Sequence, residues 1–563
     1  NDVFNYDITG IGRDDDSDLH QKQSRSVNNA QDGATRGQGV LTMGISAIYD
    51  TNKLNPNTDL NDKEFLIWGN DGIDLDDPSV VVDIDMSSGI TPAIPGGTNV
   101  QFIGIARTWK VVENVPNSII HDIPSVEVSI LKSAVRIATP SNGIYLMFIS
   151  DDPNFDSTDD YAVMSSGTNE LGEAVFKTNY DFDSTKYITF GWAPDVTNSR
   201  SVYFNGTADY INMEDALDLN PTAFTISSWI KRDAADTGTS SIVSKRDATY
   251  TTGYDLTILD DNTIQYYLKN GTDQILTSNT SIPDDEWHHV ALVYNGTRAH
   301  LYIDGVLDTD ANRTAPTNTD ESFYVGAAGK NTPTQHFMGN IDEVRVWNTN
   351  LTESQLRFIM NQEIEDNSNF VNGSYFSAQS ITPTKNDIAT IPWSDLAGYY
   401  PMTTYNYTNT KDESGNGNRG ALKNLRTIDK QTAPLPYKST IDGDWDTNAT
   451  WENGSMQTIP GHTSIVDNTV TIDWNIVETN HNIIMDNSNL PDYSARSVQS
   501  INDHRTLLGL IIESNKLTLN GDNDSVSGNG LSITHYLKLD GKIDLEGESQ
   551  LVQDTDSDLD VTS

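Results

Sequence analysis

The sequence predicts an all-β protein of several tandem domains, and three observations carry that prediction. Short runs of alternating apolar and polar residues recur along all 563 residues, bounded by Asn, Asp, Gly, Thr and Ser. Long helical periodicity is almost absent. Hydrophobic residues make up 36% of the chain, a lean fraction, but 10 Trp, 23 Tyr and 15 Phe supply bulk for several small cores. At about 150 residues per domain, the length corresponds to roughly four domains.

Residues 1 to about 200 hold several strand-like runs: Glu64–Gly69, Ala106–Val112, Ser125–Leu131, Ile144–Ile149 and Tyr187–Trp192. Strands separated by polar turns read as a β-sandwich. The segments Phe4–Asp15, Gln21–Ser24, Ile67–Asn70 and Ala106–Val111 resemble a domain of unknown function that recurs in secreted surface proteins of Bacteroidota. That resemblance implies a location, extracellular and at the cell surface, and no chemistry.

Residues 201–365 carry six ordered motifs: Val202–Ile211, Phe224–Ile230, Ile242–Lys245, Glu286–Tyr294, Leu301–Gly305 and Gly339–Trp347. Each alternates apolar and polar residues, as a two-sheet sandwich needs. Asp304-Gly305 is a hairpin-turn signal in its own right. The order is similar to the laminin-G-like, concanavalin-like jelly-roll family. Phe204, Trp229, Val290 and Val344 are expected to face inward. The segment Thr352–Ile364 is the one clear helix candidate. Thr352 can act as N-cap, with Gln355 completing a capping box, and Leu356, Ile359 and Met360 share a face.

Residues 366–437 read as a connector or as extra strands for the jelly roll. Trp393–Met402 and Asp412–Gly420 resemble the opening of another such module, but no later motif of the set follows. From residue 438 the texture changes. Asp442–Asp446 and Ala449–Glu452 mark a fresh start, and short strands follow at Val470–Trp474, Leu507–Ile512, Leu517–Asn520, Tyr536–Gly541 and Ile543–Glu546. Their spacing fits a short β-solenoid stalk or an edge-to-edge β-domain. With Asn1 at its start and no stop-like character at its end, the chain reads as a fragment or processed product of a longer one.

Acidic residues number 81 and basic residues 35, a net charge of −46. Such a surface repels phosphate backbones and anionic lipid, which argues against nucleic-acid and membrane-surface partners. No apolar run approaches the ~20 residues of a membrane span. The absence of cysteine removes disulfides, thiol nucleophiles and thiolate-held metals.

Catalytic signals are missing. His288-His289 lies on a predicted strand, so the rings face opposite sides and cannot chelate one metal; the jelly-roll resemblance implies a structural pair, one ring in the core and one outside. Nothing in 201–365 supplies the paired carboxylates of a glycosidase. Asp544, Glu546 and Glu548 share a strand face, but outside the jelly roll they read as a solvated acidic edge. Asp14–Asp18 and Asp554–Asp560 read as acidic turns, since neither fits an EF-hand.

Calcium is the one ligand the composition invites, because Asp, Asn and Gly loops offer hard oxygen ligands. The jelly-roll resemblance implies a structural calcium near the first and last strands, at Asn205, Asp209 and Asp342. Against it stands the reading that Asn205 and Asp342 only fix turns by side-chain to backbone bonds.

The functional expectation is a non-catalytic, extracellular cell-surface adhesin or gliding-motility filament segment that mediates attachment. By resemblance its partners include the type IX secretion machinery. Two alternatives stand beside it: a carbohydrate-binding accessory region of a secreted polysaccharide-degrading enzyme, with surface glycans or polysaccharide as partner, and a purely structural stalk. A concave jelly-roll face bearing exposed aromatics favours sugar binding; a convex or covered face favours the stalk.

Overall fold

The computed structural model describes residues 3–26, 40–75, 77, 80–86, 99–114, 123–136, 142–197, 201–329, 332–375, 384–424, 432–486, 503–521 and 529–561. It is all-β, as the sequence predicts, and divides into two compact units. One comprises residues 1–86, 95–197 and 405–408; the other comprises 87–94, 198–404 and 409–563. Among the described residues no helix is long and apolar enough to cross a membrane.

The first unit is a sandwich of antiparallel strands: β1 (Tyr6–Asp14), β2 (Leu41–Ile45), β3 (Phe65–Asn70), β4 (Trp109–Asn114), β5 (Val126–Leu131), β6 (Gly143–Ser150), β7 (Asp160–Thr168), β8 (Ala174–Tyr180) and β9 (Lys186–Pro194). One sheet runs β1-β3-β4-β9-β6-β7 and the other β7-β8-β5-β2. Strand β7 belongs to both: Asp160–Met164 pairs with β6, and Ser165–Thr168 pairs with β8. Trp68, Trp109, Met147 and Phe190 fill the core between the sheets.

The second unit begins with the jelly roll. Its strands are β10 (Val202–Asn205), β11 (Tyr210–Asn212), β12 (Phe224–Arg232), β13 (Ser240–Arg246), β14 (Gly253–Ile258), β15 (Thr263–Asn270), β16 (Thr272–Ser281), β17 (His288–Tyr294), β18 (Arg298–Ile303), β19 (Val306–Asn312), β20 (Tyr324–Val325) and β21 (Met338–Trp347). Helix α1 (Glu353–Ile359) follows, then β22 (Leu396–Tyr400) and β23 (Gly420–Lys423). The inner sheet runs β10-β21-β12-β17-β18-β19, with β22 also on β21. The outer sheet runs β23-β11-β20-β13-β14-β15-β16. Residues after 366 thus add one strand to the inner sheet and, with Asn409–Thr410 paired to β23, more than one to the outer sheet.

Two glycines are dictated by geometry. Gly339 has φ +133, and a Cβ there would sit 2.1 Å from the Lys231 oxygen on the adjoining strand. Asp304 and Gly305 both have positive φ and close the two-residue turn between β18 and β19.

Helix α1 starts where the sequence places it. The Gln355 N–H donates to the Thr352 hydroxyl at 3.3 Å, and the Thr352 N–H donates to the Gln355 amide oxygen at 2.9 Å. It ends at Ile359, short of the expected Ile364, and Phe358 joins Leu356, Ile359 and Met360 as a buried residue. Trp229 corrects a second expectation. It does not enter the inter-sheet core but faces α1, while Phe204 faces the outer sheet against Gly326. Val290 and Val344 fall on the inter-sheet side by alternation with Ala291 and Arg345.

The segment after 432 is a solenoid of parallel coils. Strands β24 (Tyr437–Lys438), β26 (Ile476–Thr479), β28 (Asp503–Ile512), β30 (Asn529–Leu539), β32 (Gln550–Gln553) and β33 (Asp558–Val561) form one sheet. Strands β25 (Gly443–Asp444), β27 (Ile483–Met485), β29 (Lys516–Leu519) and β31 (Lys542–Leu545) form the other. Register stacks Tyr437, Val477, Leu510, Leu537 and Leu559 in one column, and Ile483, Leu517 and Ile543 in the facing one. Expected strand Val470–Trp474 is not a strand; its Thr471 makes one bridge to Thr463, and Trp474 turns back to the jelly roll.

Jelly roll and solenoid share a core. Trp229, Trp287 and Trp347 of the inner sheet, Leu356 and Phe358 of α1, and Trp474, Ile476, Leu508, Ile511 and Tyr536 of the solenoid form one buried cluster. The inner sheet is therefore buried on both faces, which is why every residue of β12 and β17 is buried.

Candidate functional site

The residues expected to bind calcium do not gather at one point. Asn205 and Asp209 share a tight loop after β10. The Asn205 amide oxygen accepts N–H groups from Thr207 at 2.9 Å, Ala208 at 3.0 Å and Asp209 at 3.3 Å. Asp209 Oδ2 accepts the Asn205 N–H at 3.1 Å, while buried Oδ1 has no hydrogen-bond partner among the described residues. Burial pushes this carboxyl up to about 6. Asp342 stands elsewhere. Asn205 pairs with Met338, so Asp342 lies four residues along β21, about 13 Å away. Its two oxygens accept the N–H groups of Glu343 at 3.1 Å and Ala433 at 3.0 Å. Among the described residues no group of three or more His, Asp or Glu side chains is placed to hold a metal.

Asp342 belongs to a buried polar knot on the α1 side of the inner sheet. A bulge in β21 opposite Ser228 turns both Asp342 and Glu343 to that side. Glu343 pairs with Arg345 and accepts the Tyr399 hydroxyl at 3.1 Å. Arg345 also donates to the Ile359 oxygen at 2.9 Å and the Gln362 oxygen at 2.6 Å. Burial, then the neighbouring carboxylate, raises Asp342 well above its ordinary value; burial raises Glu363 to about 7. Raised carboxyls of this kind suit general acid chemistry. Here α1 and the chain after it cover them: Asp342 and Glu343 are each 1% exposed, so no polysaccharide reaches them.

The histidine pair is structural on both sides. His289 lies beside the Trp229 ring and His288 lies on the opposite side, but both are buried, because α1 and the solenoid cover what the sequence reading left outside. Burial works against a charge on His288, yet the Asp304 carboxylate at 2.7 Å overrides it and raises the ring to about 9. Burial holds His289 down to about 3 and His462 down to about 4. The acidic run near residue 546 also differs from expectation. Strand β31 ends at Leu545, so only Asp544 is on it, paired with Lys516 at 2.9 Å; Glu546 and Glu548 fall in the following turn.

On the outward side of the outer sheet β13 and β14 are buried throughout, and what reaches solvent is a rim formed by the 247–252 loop, Gln335 and strands β15 and β16. Its centre is Arg246 at the end of β13. Its Nε donates to Asp255 at 2.5 Å, Nη1 to the Asp247 oxygen at 3.0 Å, and Nη2 to the Tyr250 hydroxyl at 2.9 Å and to the Gln335 amide oxygen. The guanidinium also lies over the Tyr250 ring, 3.7 Å from its centroid. Tyr250 meets the Tyr267 ring edge-on at 4.8 Å, and the Tyr267 hydroxyl donates to the Tyr250 oxygen at 2.7 Å. The loop that carries Tyr250 is fixed by Asp247, whose carboxylate accepts N–H groups from Thr251 at 2.7 Å and Thr252 at 2.9 Å and the Thr251 hydroxyl at 2.7 Å. Thr249 and Thr251 are exposed, Tyr250 and Gln335 half-buried, and Ile275, opposite Tyr267, is 44% exposed. The arrangement is a pre-set rim of hydroxyl, amide and aromatic edge, able to hydrogen-bond a polyol but lacking a nucleophile–base pair.

Sequence reading missed these residues. Gln265, Tyr267 and Lys269 alternate outward on β15, a legible signal. Gln335 is 89 residues from Arg246, and no local pattern joins them.

Comparison with known proteins matches two stretches. The profile of the concanavalin A-like lectin/glucanases superfamily matches residues 205–357. That of a domain of unknown function, DUF8202, matches residues 1–185. No curated protein matches the chain. Solved structures similar to it include a putative carbohydrate binding protein from Bacteroides ovatus, at 15% identity over 56% of this chain and 95% of that one, TM-score 0.31. Others are the CBM40 of a Ruminococcus gnavus IT-sialidase bound to α2,3-sialyllactose, at 16% over 28% and 94%, TM-score 0.25, and domain 4 of AbnA, a GH43 extracellular arabinanase from Geobacillus stearothermophilus, in complex with arabinotriose, at 19% over 37% and 85%, TM-score 0.24.

Proposed function

We propose that the chain is a non-catalytic, extracellular glycan-binding region, and that the outward face around Tyr250, Tyr267 and Gln335 holds the sugar. One observation carries this reading. The inner sheet's outward face is buried under α1 and the solenoid, while the outer sheet reaches solvent along a rim that carries a fixed polar–aromatic cluster. The lectin/glucanase profile over 205–357 supports it. Attachment of a cell to a polysaccharide surface, with export by the type IX machinery, is the finer form of the same reading. It rests on the resemblance of the first 200 residues to surface proteins and is tested by immunolabelling of intact cells.

Calcium stays part of the proposal in narrower form. Asp209 offers a buried oxygen without a partner, which a hard cation suits. Asn205 shapes the loop with its own oxygen already used, and Asp342 is left to the buried knot.

The experiment is a glycan-array screen of the full chain, followed by titration of the best ligand against Tyr250→Ala and Gln335→Ala. Each variant is expected to weaken binding about tenfold or more. Unchanged binding in both excludes this face.

A further inference from the structure

We propose that the contact between jelly roll and solenoid is an acid-sensitive joint, which loosens when the His462 imidazole takes up a proton. The joint stands whatever ligand the rim takes. Asp304, in the turn between β18 and β19, is its hub. The Asp304 carboxylate accepts the His288 ring N–H at 2.7 Å, and its main-chain oxygen accepts the indole N–H of Trp474 from the solenoid at 3.2 Å. The Trp287 N–H donates to the Met456 oxygen at 3.0 Å. His462 lies on the stretch of solenoid chain between those two contacts, Met456 and Trp474.

The geometry leaves no place for a second proton on His462. Its Nδ1 bonds the Ile459 oxygen at 2.9 Å; a carbonyl only accepts, so Nδ1 carries the hydrogen and Nε2 the lone pair. Nε2 is closed off from solvent, with no hydrogen-bond partner among the described residues. A proton there creates a buried charge and a donor without an acceptor. The jelly roll turns Asp304 and His288 toward this ring, and β28 brings Arg505, which donates to the Pro460 oxygen at 2.7 Å and pairs with Asp446. Two cations thus oppose one carboxylate, and His288 already engages that carboxylate. Glu286, 3.8 Å from the far nitrogen of His288, and Tyr437, which burial keeps neutral, border the same cluster.

Burial outweighs the Asp304 carboxylate and, with His288 and Arg505, holds His462 down to about 4, below its ordinary 6.5. The folded form binds this proton less readily than the unfolded form. Stability is therefore intact above pH 6.5 and is lost as pH falls toward 4, by about thirtyfold in the folding equilibrium at pH 5. The rest of the chain trends the other way, because acid relieves the self-repulsion of a net charge of −46. An open joint bares apolar surface of the shared core, Trp287 included.

The test takes the full chain from about pH 8 to about pH 5 and reads a hydrophobic dye, the far-UV strand signal and the denaturant midpoint, beside a His462→Asn chain that keeps an amide donor near the Nδ1 position. The expected result is dye uptake and a loss of about thirtyfold in the wild-type equilibrium with the strand signal retained, against less than about threefold in the Asn chain. Equal loss in both chains, or no loss in the wild type, overturns the inference. Dye uptake with collapse of the strand signal shows the whole unit unfolding and overturns the joint. For an Asn chain that does not fold, histidine ring NMR of the wild type decides. A ring that takes its proton in step with dye uptake supports the joint; rings that all titrate apart from it overturn it.

Discussion

The Trp229 indole N–H donates to the main-chain oxygen of Met360 at 2.6 Å, tying the middle of β12 to the end of α1. The bond is buried, so an unmade partner would cost its full desolvation. Trp229→Phe keeps an aromatic ring but removes the donor together with part of the indole's buried volume. It is expected to lower the unfolding free energy by about 1–2 kcal/mol, read from denaturant midpoints. An unchanged midpoint would show that the Met360 oxygen finds another donor.

Truncation after residue 350 removes α1 and the solenoid together and uncovers Trp229, Trp287 and Trp347. The shortened chain is expected to bind a hydrophobic dye and to melt lower than the 198–563 unit. A soluble truncation with unchanged melting temperature would contradict the shared core.

His288 and Asp304 set a pH dependence. The folded His288 titrates at about 9, above its ordinary 6.5. Its contribution is fully present below pH 6.5 and is lost as pH rises through 9. At full strength it amounts to roughly 3 kcal/mol. His288→Gln should therefore destabilise most near pH 6 and progressively less toward pH 10. A difference that is flat across this range would remove the ion pair from the account.

Gly305 stands at φ +75 with the Trp474 indole 2.9 Å from where a Cβ would go. Gly305→Ala adds both strain and a clash with the solenoid. The expected cost is about 1–3 kcal/mol, measured by thermal unfolding, with a smaller cost in a chain that carries Trp474→Ala as well.

Calcium should raise the melting temperature, by the equivalent of about 2.7 kcal/mol at one hundred times its Kd. Magnesium should do less and matched NaCl nothing comparable. Asp209→Ala should abolish the effect. Asp342→Ala should destabilise the fold yet keep the calcium response, because its oxygens serve Glu343 and Ala433. A calcium response lost only with Asp342 would reverse the assignment.

Local signals were legible in the sequence and long-range ones were not. The Thr352–Gln355 box spans four residues, and the Asp304-Gly305 turn spans two, so each is written in adjacent letters. Trp229 shares its strand face with Thr225, Ser227 and Lys231, opposite Phe224, Ile226 and Ile230, so alternation already sets it apart from the inter-sheet side; that its own face is a second core depends on the cover of α1, which no local pattern shows. The calcium set fails to converge because motif order places Asp342 on the last strand without giving its register: it pairs with Trp229, under α1, four residues from the Met338 that pairs with Asn205. The Arg246–Gln335 contact joins chain segments 89 residues apart. In the solenoid, the column from Tyr437 to Val477, Leu510, Leu537 and Leu559 has shrinking spacing, so no fixed period marks the coils.

The most direct measurement is amide hydrogen exchange of the full chain with and without a saturating glycan found by the array. The account predicts added protection confined to residues 246–253, 264–269 and the segment around Gln335, with the α1 side of the inner sheet and the solenoid unchanged. Protection that falls instead on the first unit or on the solenoid, with 246–253 unaffected, would contradict the assignment of binding to the outer sheet.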